Sequence, residues 1–352
     1  MPHMANTQTN DFSKGSVAGN ILRLALPMTV AQLINVLYSV VDRMYIGRLP
    51  DAAGNALTGL GLTFPILSIV TAFANLFGMG GSPLFSIQRG KGDRDRAQVI
   101  LGNTFALLVG TGVALTVVLL VLKRPLLYAF GASDATYPYA DGYLTIYLLG
   151  SVFVMISLGM NQFINAQGFG RTGMLTVLIG AVTNILLDPV FIFVLGMGVQ
   201  GAALATILSQ FLSAVWAVSF LRGKKALIRL EWGSMRLQPK LVWQIVSLGF
   251  SSFVMAITNS IVQVACNSTL QSFGGDLYVG VMTIINSVRE VVSTPINGVT
   301  SAAQPVMGFN YGAQEYRRVR SGIVFTTIVC VVYTTAVWLL LFLFPRFFIG
   351  LF

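Results

Sequence analysis

The chain has 352 residues, of which 55% are hydrophobic and only 10% are charged. Soluble domains carry about 25% charged residues, so this composition excludes an ordinary soluble protein. The net charge of +10 could indicate affinity for nucleic acid, but the positions of the charges favour another cause.

Long apolar segments are the main structural signal. Each is long enough to cross the hydrocarbon core of a bilayer, about 30 Å, as a helix. They predict nine spans, at residues 21–47, 56–86, 98–122, 137–160, 172–196, 199–221, 241–271, 279–307 and 320–345. The sequence therefore predicts an all-α, polytopic integral membrane protein built as a helical bundle.

The basic residues indicate how these spans are oriented. If the spans alternate in direction, most Lys and Arg follow spans two, four, six and eight, as Arg89, Lys91, Lys224 and Lys225 do. The positive-inside rule then places these loops and the N-terminus in the cytoplasm. We therefore expect a multi-pass protein of the plasma (inner) membrane, with no nucleic-acid partner.

An internal repeat is visible after a shift of 222 positions. Residues 81–100 then align with 303–322, and Gly90 meets Gly312. The same shift places spans seven to nine on spans one to three. Because six spans separate the copies, both have the same orientation, which predicts a parallel repeat about an axis along the membrane normal.

The repeat divides the chain into four predicted regions. They are a tail, 1–20, a first lobe with six spans, 21–222, an inter-lobe loop, 223–240, and a second lobe with its first three spans only, 241–352. The tail opens with MPHM, which looks like a cloning remnant and is left out of functional reasoning. The second lobe is expected to be incomplete, either because about three spans are missing or because the protein is a shortened relative.

A carboxylate inside the fifth span is the most informative polar residue. Asp188 follows Asn184 by four positions, so the two side chains share one helix face. Pro189 disturbs the preceding turn and frees carbonyl oxygens, and Thr206 lies in a small-residue stretch of span six. These oxygen atoms could hold Na⁺ or shelter a proton on a buried carboxyl. The alternative is an aspartate that only fixes the packing of neighbouring helices.

Other intramembrane polar residues are ambiguous by position alone. Asp42 near the end of span one is either functional or interfacial. Arg289 and Glu290 point about 100° apart on a helix, so they line a cavity or pair with helices outside this sequence, and Gln263 and Asn267 are further cavity candidates. The sequence contains no Walker loop, no metal-binding cluster and no nucleophile with a histidine base. Neither an enzyme nor a cofactor is expected.

Several motifs together resemble the MATE family, the multidrug and toxic compound extrusion transporters. They are LALPM (24–28), VDRMYIGRL (41–49), NAQGFGRTGM (165–174), NILLDPVFIF (184–193) and GVQGAALATILSQ (198–210). The resemblance runs from about residue 21 to residue 352. It implies two six-helix lobes around a cavity that opens to one side at a time. It also implies export of cationic or amphipathic compounds in exchange for H⁺ or Na⁺.

The resemblance also implies roles for individual residues. One group matches the first-lobe cation site of the prokaryotic branch with Asp-Pro in the fifth span: Asp42, Asn184, Asp188 and Thr206. Tyr143 and Asn161 fall where that branch has polar neighbours of the site. Pro27 matches the proline at which span one bends.

Two departures from the family pattern place the coupling in the first lobe. Span seven carries Gln263 and Asn267 but no acid, and Gln167 stands where many relatives have Glu. The expected partners are small organic cations or amphipathic drugs, H⁺ or Na⁺, and membrane lipids. The alternatives are a lipid-linked oligosaccharide flippase of the same superfamily, or a truncated membrane partner that does not transport.

Overall fold

The computed structural model describes residues 11–48 and 53–343, apart from the side chains of Arg43, Ala53 and several residues between 264 and 287. Its nine α-helices are α1 Val17–Ile46, α2 Ala53–Lys91, α3 Arg94–Ala129, α4 Tyr137–Leu149, α5 Ser151–Ala166, α6 Gly170–Pro189, α7 Gly198–Arg222, α8 Pro239–Gly312 and α9 Tyr316–Leu343. Two short segments complete the described part: a π-helical turn, Val190–Val194, and a 3₁₀ turn, Trp232–Met235. The fold is an all-α helical bundle, as the sequence predicts.

The nine predicted spans do not correspond one to one to helices. Over the described residues, seven helices are long and apolar enough to cross a membrane, or eight if one bent pair counts as a single span. That pair is α4 and α5, which meet at 55° around Gly150. A side chain at Gly150 would collide with Ile207 of α7. The bent segment therefore packs tightly against α7. The larger difference is that predicted spans seven and eight form one helical element, α8.

Helix α8 reverses its direction although its 74 residues are helical throughout. Near its start Gly249 touches the backbone of Leu76 on α2, and near its end Gly308 lies against Ser86 of the same helix. In a straight helix Gly249 and Gly308 would be about 90 Å apart, whereas Leu76 and Ser86 are about 15 Å apart along α2. The two arms of α8 therefore both return to α2, as two successive spans would.

The last turns of α2 and α8 touch each other at two points. The 222-residue shift carries the α2 residues of these contacts onto their α8 counterparts. A Cβ on Gly90 would strike the carbonyl oxygen of Phe309, and a Cβ on Gly312 would strike that of Ile87. The shift of 222 positions carries Gly90 onto Gly312 and Ile87 onto Phe309. A two-fold axis between the two helices would produce this pair of contacts. The superposition of spans one to three on spans seven to nine stays a prediction.

Several helix ends gather at one end of the bundle, here named the basic end because it carries Arg89 and Arg318. Arg89 of α2 donates a hydrogen bond to the carbonyl oxygen of Ala166, the last residue of α5, at 2.8 Å. The side chain of Gln167 accepts a hydrogen bond from the backbone N–H of Ile228 at 3.0 Å. The segment that follows α7 is thereby held against α5.

Asn103 of α3 fastens the same segment just before α8 begins. This side chain is fully buried. It donates to the carbonyl oxygens of Ser234 and Arg236 at 3.1 and 3.0 Å and accepts from the N–H of Gln238 at 2.8 Å. One amide therefore satisfies three backbone groups that have left helical geometry.

We expect Asn103→Ala to lower the free energy of unfolding by about 3 kcal/mol, because each buried polar group that loses its partner costs about 1–3 kcal/mol. Thermal unfolding of the purified protein in detergent measures this loss. Asn259→Ala is the matched control, since Asn259 lies exposed on α8 and its truncation leaves stability nearly unchanged. Equal stability of the two variants would contradict the anchoring role of Asn103.

Candidate functional site

Asp188 is the fully buried carboxylate near the end of α6, opposite to the basic end. The next residue, Pro189, ends the α-helix, and the backbone continues as a π-helical turn closed by a hydrogen bond from Leu195 N–H to Val190 O at 2.9 Å. Proline cannot donate the hydrogen bond that would continue the α-helical ladder. Turns of π-helix are frequent at functional sites. The Asp-Pro sequence thus ends regular helix beside the carboxylate.

The residues that the sequence places together do meet. Asn184 Nδ2 donates to Asp188 Oδ1 at 3.2 Å and lies 3.4 Å from Thr206 Oγ1 on α7. Asn184 is 1% exposed. Within the described part of the chain, Asn184 Oδ1 and Asp188 Oδ2 are buried and accept no hydrogen bond. Buried oxygen atoms that accept nothing suit a proton or a cation, because such atoms otherwise cost free energy.

Asp42 of α1 completes the cluster from another helix. Its carboxyl group lies close enough to that of Asp188 for the two to interact electrostatically. Two negative charges so close together repel each other, so a proton on one of the carboxyl groups would stabilise the pair. A cation bound between the two groups would serve the same electrostatic purpose. The pair therefore forms a place where one proton or one monovalent cation would halve the negative charge.

Asp42 also lines a cavity of about 210 Å³ among α1, α2, α4, α5 and α7. Aromatic residues form much of the wall: Tyr38, Phe64, Tyr143 and Tyr147. Tyr143 and Tyr147 stack with ring centroids 6.2 Å apart and 16° between planes. Thr206 also borders this space. Asp42 thus faces a cavity with a largely aromatic wall.

The other residues predicted to support the site occupy two different places. Tyr143 is buried and lines the same cavity as Asp42 and Thr206, so it belongs to the cluster. Asn161 lies elsewhere, with its side chain beside Gly173 near the start of α6. Pro27 is buried inside α1 and lies 3.0 Å from the position of a Cβ on Gly170. The predicted hinge of α1 therefore packs on the first turn of α6.

Three of the four residues predicted to line a cavity in spans seven and eight, Gln263, Arg289 and Glu290, do not border this one. Gln263 is half-buried, and both Arg289 and Glu290 are exposed on α8. The side chain of Asn267 lies outside the described residues. A role for these residues in a second cavity stays a prediction.

Sequence reasoning missed several residues of the cavity wall. Tyr38 precedes Asp42 by four positions, so it lies on the same face of α1, and this spacing could have identified it. Tyr147 likewise follows Tyr143 by four. Gln210 follows Thr206 by four on α7 and lines the same space. Phe64 carries no such signal, because phenylalanines are frequent on every span.

A bundle of apolar helices that encloses acidic groups beside a cavity is typical of a polytopic membrane transporter. The chain belongs to the MatE family, whose model matches residues 27–190 and 251–352.

Relatives of known name are similar over most of the chain. The multidrug export protein MepA of Staphylococcus saprophyticus is 25% identical over 318 residues, which cover 89% of this chain and 69% of MepA. MepA of Staphylococcus aureus (strain NCTC 8325 / PS 47) is 24% identical over the same shares.

Solved structures share the fold. A MOP superfamily transporter from Pyrococcus furiosus superposes with a TM-score of 0.90 at 25% identity, covering 98% of this chain and 76% of that chain. The outward-facing conformation of a multidrug resistance MATE family transporter matches with the same score, identity and coverage. The helical arrangement described above is therefore that of MATE transporters.

Proposed function

We propose that the protein is a secondary active transporter that exports cationic or amphipathic drugs by antiport with H⁺ or Na⁺. The observation that carries the proposal is the closeness of the carboxyl groups of Asp42 and Asp188 beside an aromatic cavity. The multidrug export names of the similar proteins support the same conclusion.

The coupling chemistry follows from the shared charge. When a proton or Na⁺ occupies the pair, its net charge is smaller, and the two carboxyl groups can stay close. When the cation leaves, two negative charges remain in a confined space and repel each other. Two conformations that hold the pair differently therefore bind the cation unequally, which is what a gradient needs in order to drive them. Asn184 and Thr206 orient the carboxyl of Asp188.

The cavity wall suits an organic cation. Aromatic faces attract cations, and Asp42 supplies a negative charge at the same wall. A volume of about 210 Å³ is below the roughly 300 Å³ of the smallest drug-sized pockets. In this conformation the cavity accommodates a small cation or one end of a larger drug.

The flippase alternative is less well supported. A pyrophosphate-linked lipid would need basic residues in the cavity. The described residues that line this cavity include Asp42 but no lysine or arginine. A non-transporting partner is likewise disfavoured, since packing alone does not need two acids so close together.

Orientation and lobe organisation are parts of the same proposal. The basic end and the N-terminus face the cytoplasm of the plasma (inner) membrane, supported by the distribution of Lys and Arg. The lobes comprise residues 21–222 and 241–352, joined by the loop 223–240. Gly90 of α2 contacts Phe309, and Gly312 of α8 contacts Ile87. These two contacts are related by the 222-residue shift, which supports the division into lobes.

Efflux measured under separately imposed gradients tests the function. Vesicles containing the protein are loaded with a fluorescent cation such as ethidium, and a pH gradient or a Na⁺ gradient is then applied alone. We expect one of the two gradients to accelerate efflux over protein-free vesicles, because the carboxyl pair binds the coupling ion. Efflux that responds to neither gradient would refute the proposal.

A further inference from the structure

The segment before α1 contacts three helices at the basic end, namely α2, α8 and α9. Phe12 is only 3% exposed, although Ser13, Lys14 and Gly15 beside it are exposed. Its ring meets that of Phe309 on α8 edge to face, with centroids 5.8 Å apart. A buried ring in an otherwise exposed segment indicates a specific attachment point.

Arg89 of α2 binds the same two rings from the first lobe. Its guanidinium carbon lies 5.0 Å from the centroid of Phe12 and 5.1 Å from that of Phe309. Both distances are within the range of a cation–π interaction. The hydrogen bond from Arg89 to Ala166 fixes this arginine to α5. Phe12 therefore contacts a first-lobe arginine and a second-lobe phenylalanine at the same time.

Arg318 of α9 binds the backbone of the segment from the second lobe. It donates to the carbonyl oxygens of Phe12 and Gly15 at 2.9 and 3.0 Å and to Asn310 Oδ1 at 2.8 Å. Asn310, which is fully buried, also donates to the carbonyl oxygen of Phe12 at 3.3 Å. Within the segment, Asp11 Oδ1 accepts from the N–H and the hydroxyl of Ser13 at 3.0 and 2.6 Å. This turn presents the Phe12 carbonyl to Arg318.

The sequence repeat gives the segment a counterpart. The shift of 222 positions carries Phe12 onto Ser234, in the segment before α8. The carbonyl oxygen of Ser234 accepts a hydrogen bond from Asn103 of α3, just as the carbonyl oxygen of Phe12 accepts from Arg318 of α9. Each segment that precedes the first span of a copy thus binds helices of the other copy through a carbonyl at the equivalent position.

We infer that residues 11–16 form a cytoplasmic clasp that holds the two lobes closed at the basic end and must release when the transporter opens to the cytoplasm. This inference rests on the proposed function, because the opening is that of an alternating-access cycle. Release removes the Phe12 ring from its contacts with Arg89 of the first lobe and Phe309 of the second, so fewer contacts then join the two lobes. The clasp is small, so it biases the equilibrium without preventing the opening.

Hydrogen–deuterium exchange of the intact protein in detergent tests the clasp. In Phe12→Ala we expect the amides of 84–91 and 303–313 to exchange about tenfold faster than in the unaltered protein, because opening of the basic end becomes more frequent. The amides of 120–129, at the opposite end, should exchange at their original rate. Phe273→Ala is the matched control, since the Phe273 side chain is 85% exposed.

A second variant distinguishes loss of the clasp from misfolding of the protein. Arg318→Lys keeps the charge and loses the planar fork that binds three oxygen atoms, and it should accelerate exchange at the same two segments. Unchanged exchange in both variants would overturn the inference, as would equal acceleration at both ends of the bundle, which marks general destabilisation. Hydrogen–deuterium exchange is measured without substrate or gradient, so it tests the clasp independently of transport. Failure of the efflux experiment would refute the antiport but would not change the outcome of the exchange experiment.

Discussion

Asp188→Asn should reduce gradient-driven efflux to the level of protein-free vesicles while the protein still folds and binds substrate. The amide fills the same space and still accepts the hydrogen bond from Asn184. It cannot titrate, and it supplies no charge for Na⁺. A site frozen in one charge state cannot favour one conformation over the other in response to a gradient. Efflux under the driving gradient, beside thermal stability in detergent, is the measurement.

The control for this variant is Asp134→Asn, which changes an exposed carboxylate outside the cavity. Asp134 accepts a hydrogen bond from the Tyr128 hydroxyl at 3.0 Å, so the control also alters one polar contact. We expect efflux by Asp134→Asn to equal that of the unaltered protein. Normal gradient-driven efflux by Asp188→Asn would mean that this aspartate serves packing alone.

Gly249→Ala should lower the free energy of unfolding by about 3 kcal/mol, at the upper end of the cost of overpacking. A methyl group at this position would strike the carbonyl oxygen of Leu76, and a backbone atom cannot rotate away as a flexible side chain can. The first arm of α8 must therefore move off α2. Unfolding in detergent measures the loss of stability, and exchange of amides 72–80 reports the local separation.

Gly110→Ala is the matched control on α3, because a Cβ there meets nothing within 4 Å. Replacing glycine by alanine in an unobstructed helix stabilises it by roughly 0.5–1 kcal/mol. The two substitutions should therefore have opposite signs. If Gly249→Ala also stabilised the protein, the close approach of α8 to α2 would not exist in solution.

Part of the site was predictable because it is local. Asn184 and Asp188 are one helical turn apart, so any α-helix through them places both side chains on one face. Pro189 ends the helix beside them for a reason contained in the residue itself. Thr206 lies on another helix, so its prediction depended on its place in a small-residue stretch that lets helices approach closely. The structure brings its hydroxyl to Asn184.

The predicted spans were reliable for a similar reason and failed where two of them join. A run of apolar residues indicates a helix that crosses the bilayer, and most predicted spans have a helix of their own. Periodicity cannot show whether the backbone stays helical through a reversal, as α8 does. The bend at Gly150 also escaped prediction, because it depends on the neighbouring side chain of Ile207.

By itself the sequence determined the membrane class, the 222-residue repeat and the polar face of α6, because each is written in composition or in spacing along one chain. Only the tertiary structure decided that Asp42 lies beside Asp188 and that Phe12 packs on both Arg89 and Phe309. Those partners come from helices far apart in sequence. Their contacts depend on how closely the helices approach each other, and at the basic end Gly90 and Gly312 bring the backbones of α2 and α8 together.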